Sequence, residues 1–210
     1  MMKLYYFPHA CSLADHIVLE WVGVPYQTVR MDLAGTKAPE YLALNANGTV
    51  PLLIDGDFIL DQNAAILCYV AELHPHAQLL GDGSARSRAE VMRWLSFLNS
   101  DLHPAFKPIF TPARFHPDPA VAEALGATAR ANVRKYLMHL EARLEGREWL
   151  TDARSIADPY LFVMLRWTIR LRIGLDGFDR LSRFLERMNA DPQVRAAILS
   201  EESDVPESPR

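Results

Sequence analysis

Residues 3–14 read Lys3-Leu4-Tyr5-Tyr6-Phe7-Pro8-His9-Ala10-Cys11-Ser12-Leu13-Ala14. A short apolar strand runs into a proline-containing turn, and the turn delivers a thiol to the start of a helix. A helix N-terminus exposes free N–H groups and carries roughly half a positive charge. Both favour thiolate over thiol, so a reactive sulfur with a lowered pKa is expected at Cys11. The alternative is a small buried residue, since free cysteine also behaves as ordinary core.

Outward from this segment, the first eighty residues alternate in type. Lys3–Phe7 predicts a strand, and Ser12–Val22 a helix with Leu13, Ile17, Val18 and Trp21 on one face and Gly23 as its stop. Tyr26–Met31 reads as a second strand. Val50–Asp55 and Phe58–Leu60 flank Gly56-Asp57 as a tight hairpin. Gln62–Leu73 reads as a helix ended by His74-Pro75. This order predicts a small mixed sheet covered by helices. Residues 76–87 lose periodicity and read as a linker. Beyond it, apolar residues recur at helical spacing: Val91 to Leu102, Val133 to Leu144 with Gly146 as stop, Tyr160 to Leu171, Phe178–Met188 and Val194–Leu199. The polar end from Glu201 reads as a frayed tail. Two domains are expected, 1–80 and 88–200.

Composition narrows the function. The chain has 210 residues, half of them hydrophobic, enough for a sizeable core, and a formal charge of −4 that argues against nucleic acid as partner. No apolar run is long enough to span a bilayer, and no basic stretch followed by an apolar one suggests a signal peptide. Cys11 and Cys68 are the two cysteines, with no C-x-x-C, so the cytoplasm is the expected compartment. The histidines lack metal spacing, and no metal is expected.

Four further positions carry possible chemistry. Val50-Pro51 starts an apolar strand. With a cis bond, Val50 would turn its N–H and C=O toward an extended ligand; an ordinary trans proline is the alternative. Asp61-Gln62-Asn63 opens a helix, with Asn63 or Asp61 as N-cap or as part of a carboxylate site. Ser96, Asn99 and His103 form a polar stripe, either solvated or a partner for the thiol. Pro104 and Pro108 should kink the helix just after His103. Ser155-Ile156-Ala157-Asp158 fits a structural capping box.

Read together, these strings resemble the cytosolic glutathione S-transferases, and most closely the bacterial beta class. The resemblance rests on residues 3–14 and on Asn45-x-Asn47-Gly48-x-Val50-Pro51. It continues through Leu60-Asp61-Gln62-Asn63-Ala64-Ala65-Ile66, Trp94-Leu95-x-x-Leu98-x-x-x-Leu102-His103-x-x-Phe106-x-Pro108-Ile109-Phe110 and Ser155-Ile156-Ala157-Asp158-x-Tyr160-Leu161-Phe162. It implies a thioredoxin-like N-terminal domain, an all-helical C-terminal domain and a homodimer with glutathione bound between the domains. Glutathione would be co-substrate, with no further cofactor. Val50-Pro51 would be the cis-proline pair that meets its cysteinyl backbone. Gln62 and Asn63 would take the γ-glutamyl end, Lys37 and Asn99 other polar groups, and Cys11 and His103 would face the sulfur. Ser12 and Tyr6 are rivals to Cys11. The family usually has Ser where this chain has Asn63, and beta-class relatives have Asn where it has Ser96. The implied activity is conjugation of glutathione to hydrophobic electrophiles, or thiol–disulfide chemistry through Cys11. A glutathione-dependent isomerase and a non-catalytic binding module are the alternatives. Phe106, Phe110, Phe115 and Trp167 are candidates to line the electrophile pocket.

Overall fold

The computed structural model describes residues 1–203. The described residues divide into two compact units: 1–80 together with 187–203, and 81–186. The C-terminal stretch that the sequence assigns to the helical domain therefore packs with the N-terminal unit.

The first unit is built on a four-stranded sheet of order β2-β1-β3-β4. β1 (Met2–Tyr6) pairs in parallel with β2 (Tyr26–Arg30) and antiparallel with β3 (Leu52–Asp55), which forms a hairpin with β4 (Phe58–Asp61). Leu4 lies opposite Thr28 and Leu53, and the burial of Met2, Leu4 and Tyr6 alternates along β1 as the strand period requires. The hairpin turns at Gly56, whose φ of +63° suits a residue without Cβ. β3 begins at Leu52, two residues later than expected, because Pro51 has no N–H for the ladder.

Helix α1 (Ser12–Val22) ends at Gly23 in the left-handed region, as expected. The single apolar face read from its sequence is an underestimate. Every residue but Glu20 is buried, including Asp15 and His16, both fully. The reason lies at the far end of the chain. α3 (Asn63–Leu73) and α9 (Pro192–Ser203) both pack on α1. Glu201 of α9 meets His16 across 3.4 Å, and Trp21 Nε1 donates to Asp191 Oδ1. The expected tail thus starts as helix through Ser203; residues 204–210 lie outside the described residues. Short α2 (Pro39–Leu44) completes this unit.

The second unit is helical: α4 (Ala85–Phe97), α5 (His103–Phe110), α6 (Pro119–Arg143), α7 (Ala157–Arg170) and α8 (Asp179–Ala190), the division falling within α8. Pro104 does not kink a continuous helix after His103. The backbone widens into a π-helical turn over Leu98–Leu102, before the proline, and α5 restarts at His103. Proline in the first turn needs no N–H partner there. α6 starts fourteen residues before the expected Val133, where Asp118 accepts from the Ala120 amide at 2.9 Å. Glu141 of α6 accepts from the Arg180 and Leu181 amides, so a tertiary contact supplies the α8 cap.

α7 is the centre of this unit, buried from Ala157 to Leu165. The capping-box reading of Ser155 and Asp158 holds. Asp158 accepts from the amides of Leu150 (3.0 Å) and Ser155 (2.7 Å) and from the Ser155 hydroxyl (3.0 Å). Burial pushes its carboxyl up to about 6, against the pull of those bonds. Asp158→Ala orphans two buried amides and a hydroxyl, and a loss of about 2–4 kcal/mol is expected. Urea unfolding measures it; a change below about 1 kcal/mol would show that the box is not structural.

Candidate functional site

In the first unit the Phe7–Cys11 turn is held from within. Ala10 N donates to Phe7 O at 3.0 Å, while the buried Ser12 hydroxyl accepts from Phe7 N and donates to Phe7 O, each at 3.3 Å. Ser12 is thus spent inside the fold and Tyr6 is fully buried in the sheet. Of the three rivals for the sulfur, Cys11 alone is partly exposed.

Opposite Cys11 lies the Val50–Pro51 peptide, which is cis. Sγ of Cys11 is 4.0 Å from the Val50 carbonyl oxygen. The preceding loop is braced residue by residue. Asn45 Nδ2 and Tyr41 Oη both donate to Thr49 O, at 2.8 and 2.7 Å, and Lys37 Nζ donates to Gly48 O at 2.9 Å. At Gly48 a Cβ would stand 2.7 Å from both Lys37 Nζ and Thr36 O, so only glycine allows this bracing. Lys37 therefore binds the loop backbone while remaining exposed.

The start of α3 departs from the capping expectation. Neither Asn63 nor Asp61 caps it by a side chain. Gln62 occupies that position, with φ +73° and ψ +113°, a strained backbone for a residue with a Cβ. Its side chain is exposed. Asp61 accepts from Asn47 Nδ2 at 3.2 Å, which ties the two loops together. Asn63 turns inward instead, and its Nδ2 donates to Cys11 O (2.8 Å) and Asp15 Oδ2 (3.0 Å).

The expected lowering of the Cys11 pKa is overturned. Burial first, and then the Asp15 carboxyl one helical turn away in whatever fraction is ionised, push the thiol up to about 12. The Cys11 and Ser12 amides pull it down without prevailing. Asp15 was missed in the sequence, where its i+4 spacing from Cys11 was the available signal.

In the second unit Asn99 and His103 come together through a residue that reads in the sequence as apolar core. Tyr160 Oη donates to Asn99 Oδ1 at 3.2 Å and lies 2.6 Å from His103 Nδ1. Ser96, the third member of the stripe, is exposed. The His103 ring meets Trp167 edge-on at 4.9 Å, and Phe106 and Phe110 pack on Trp167 at 5.5 and 5.1 Å. Phe110 is partly exposed and Phe115 more so. Burial, then Lys107, push His103 down to about 4, so it is a neutral imidazole at pH 7. In the structure His103 is therefore not the cationic partner expected for a thiolate. Among the described residues no group of His, Cys, Asp and Glu side chains is arranged to hold a metal ion, and no helix is long and apolar enough to cross a membrane.

Two family models match the chain: "Glutathione S-transferase, N-terminal domain" over residues 1–72 and "Glutathione S-transferase, C-terminal domain" over residues 100–192. A relative from Xanthomonas campestris pv. campestris, named glutathione S-transferase GST-4.5, is 47% identical over 201 residues, covering 95% of this chain and 98% of the relative. The solved structure of a glutathione S-transferase from Xylella fastidiosa superposes with a TM-score of 0.93 at 45% identity, over 96% of this chain and 99% of that one. A beta-class glutathione S-transferase from Sphingomonas chungbukensis superposes with a TM-score of 0.84 at 36% identity, over 95% and 98% of the two chains.

The lowered His103 pKa has a consequence for stability. The unfolded chain binds a proton at His103 near pH 6.5 and the folded chain only near 4, so this term is intact above 6.5 and is lost as the pH falls toward 4. It amounts to at most about 3 kcal/mol. Urea unfolding at pH 7 and pH 4.5 should show His103→Phe flattening that slope; an unchanged slope would mean that His103 is not the group responsible.

Proposed function

The chain belongs to the glutathione S-transferase family, and we propose that it conjugates glutathione to hydrophobic electrophiles, with Cys11 acting as a thiol rather than a thiolate. The observation that carries this reading is the juxtaposition of Cys11 Sγ with the carbonyl of the cis Val50–Pro51 peptide. Val50 is the extended-backbone partner for the cysteinyl residue of glutathione. That residue's sulfur then lies near the start of α1, where peptide dipoles favour negative charge.

The tripeptide is anionic, and its γ-glutamyl carboxylate suits the amides that open α3 behind the strained Gln62. Asn63 contributes there through its backbone, since both amide hydrogens of its side chain are engaged. Lys37 supplies positive charge at the rim.

Free cysteine thiols ionise near 8.5. Lowering the bound glutathione thiol below 7 takes about 2 kcal/mol of preferential binding to the thiolate. One S–H donor and a helix N-terminus supply an amount of that order. The thiolate attacks an electrophilic carbon, an S–C bond forms, and the leaving group departs with its electron pair. The raised Cys11 thiol weighs against a disulfide-exchange route starting at Cys11, because the thiolate is the attacking species in such exchange.

His103 enters this reading as a neutral group. With the Tyr160 proton given to Asn99, Nδ1 of His103 donates to Tyr160, which leaves Nε2 as an acceptor. The aromatic cluster of Phe106, Phe110 and Trp167 supports an apolar second substrate. A homodimer is proposed as well: Phe58 and Ile59, on the edge strand β4, are 45% and 42% exposed, an apolar surface suited to a second copy. Neither Cys11 nor Cys68 is in a disulfide, consistent with the cytoplasm as the place of action.

Calorimetry should show glutathione binding, and its absence at millimolar glutathione would overturn the reading. Cys11→Ala should lower kcat/KM toward an aryl halide by about ten- to a hundredfold with fold and dimer intact, the worth of one charge-assisted hydrogen bond. An undiminished rate would remove Cys11 from the reaction. Light scattering should report a dimer for the native chain and a monomer for Phe58→Glu; a monomeric native chain would contradict the assembly.

A further inference from the structure

The hydrogen-bond inventory around Asn63 does not close if Asp15 is ionised. Asn63 Nδ2 has two hydrogens, given to Cys11 O and Asp15 Oδ2. The other oxygen of each group, Asn63 Oδ1 and Asp15 Oδ1, is buried with no donor. Asp15 is fully buried and Asn63 nearly so. Two orphaned buried acceptors, one on a carboxylate, would be strongly unfavourable.

These leftovers are the two atoms that face each other when a planar carboxamide and a planar carboxyl group pair edge to edge. One proton satisfies both. We propose that Asp15 is a neutral carboxylic acid joined to the Asn63 carboxamide by a ring of two hydrogen bonds, Asn63 Nδ2–H to Asp15 Oδ2 and Asp15 Oδ1–H to Asn63 Oδ1, and that this pair positions Cys11.

The surroundings agree. Among the described residues, the titratable groups coupled to Asp15 include Cys11, just before α1, and Glu201 from α9, and His16 is its neighbour in the helix. His16 faces Glu201 at 3.4 Å. Burial holds the Asp15 carboxyl well above the usual carboxylate range, against the pull of its own backbone N–H and with a smaller push from Glu201.

The arrangement serves Cys11 in two ways. The second hydrogen of Asn63 Nδ2 fixes the Cys11 carbonyl, which locks the turn bearing the thiol to the start of α3. A proton on Asp15 removes the negative charge nearest to Cys11, so a sulfur anion near this turn meets no carboxylate repulsion. That consequence rests on the role proposed for Cys11, whereas the protonation of Asp15 does not, and it is measured without glutathione.

The test is the carbon NMR spectrum of the intact protein labelled with 13C at the aspartate carboxyls, at pH 8. Asp158, at about 6, has ionised by then. One protonated aspartate carboxyl is expected, absent in Asp15→Asn; a spectrum with every aspartate ionised overturns the proposal. In parallel, the pH profile for alkylation of Cys11 by iodoacetamide, read by peptide mapping, should be the same in Asp15→Asn as in the native protein. If Asp15 were charged, its removal would lower the thiol pKa and speed alkylation severalfold at fixed pH, which would also overturn the proposal. Should Asp15→Asn fail to fold, the native spectrum decides alone.

Discussion

Burial of α1 on every side is the constraint from which the rest of the first unit follows. A helix that keeps one face in water places its polar residues there. α1 has no such face, because the sheet, α3 and α9 each take a part of it. Asp15 and His16 are enclosed as a result, and each needs a partner from another segment. His16 finds Glu201, 185 residues away in sequence, and Asp15 finds Asn63 at the start of α3. The C-terminal helix is therefore part of the N-terminal unit for a chemical reason. Without it an imidazole and an apolar helix face would meet solvent.

The same enclosure shapes the site. Three separate segments reach Cys11: Val50 opposite its sulfur, Asn63 at its carbonyl, and Asp15 one turn along α1. The loop of Val50 is braced from within, whereas Asn63 and Asp15 are held by each other. Lys37 and Tyr41 brace the loop before Val50, and a strained Gln62 aims the start of α3. Local strain of about 1–3 kcal/mol at Gln62 is affordable only because the surrounding pairs over-determine the backbone.

Much of this was legible in the chain. Helical and strand periodicities located β1, α1, the β3–β4 hairpin and the apolar helices, because a period reports which face an element buries. Ser155 and Asp158 were legible as a capping box because such a cap is local. What escaped was non-local. α1 reads as amphipathic until α9 is known to cover its other side. The α8 cap comes from Glu141, and the partner of His103 is the hydroxyl of Tyr160, a residue whose spacing marks it as core. The sequence offers Asn63 as a ligand or a cap, and its amide serves the interior instead. A single sequence records the residue types but not which elements enclose them.

The direction of the Cys11 pKa shows how the competing terms are settled. A helix N-terminus is worth at most about 2 kcal/mol to a nearby anion. Burial, the largest influence on the Cys11 thiol, acts in the other sense and pushes it up. Desolvation therefore outweighs the dipole, and Cys11 keeps its proton. For a transferase this is the useful outcome. Two sulfur anions at one site would repel each other, and the anion needed is the one on the substrate. A protonated Cys11 can donate to that sulfur while the helix dipole, whose field does not depend on which sulfur is charged, stabilises it. The half-buried position of Cys11 then has a consistent meaning: enclosed enough to remain a thiol, exposed enough to offer its hydrogen.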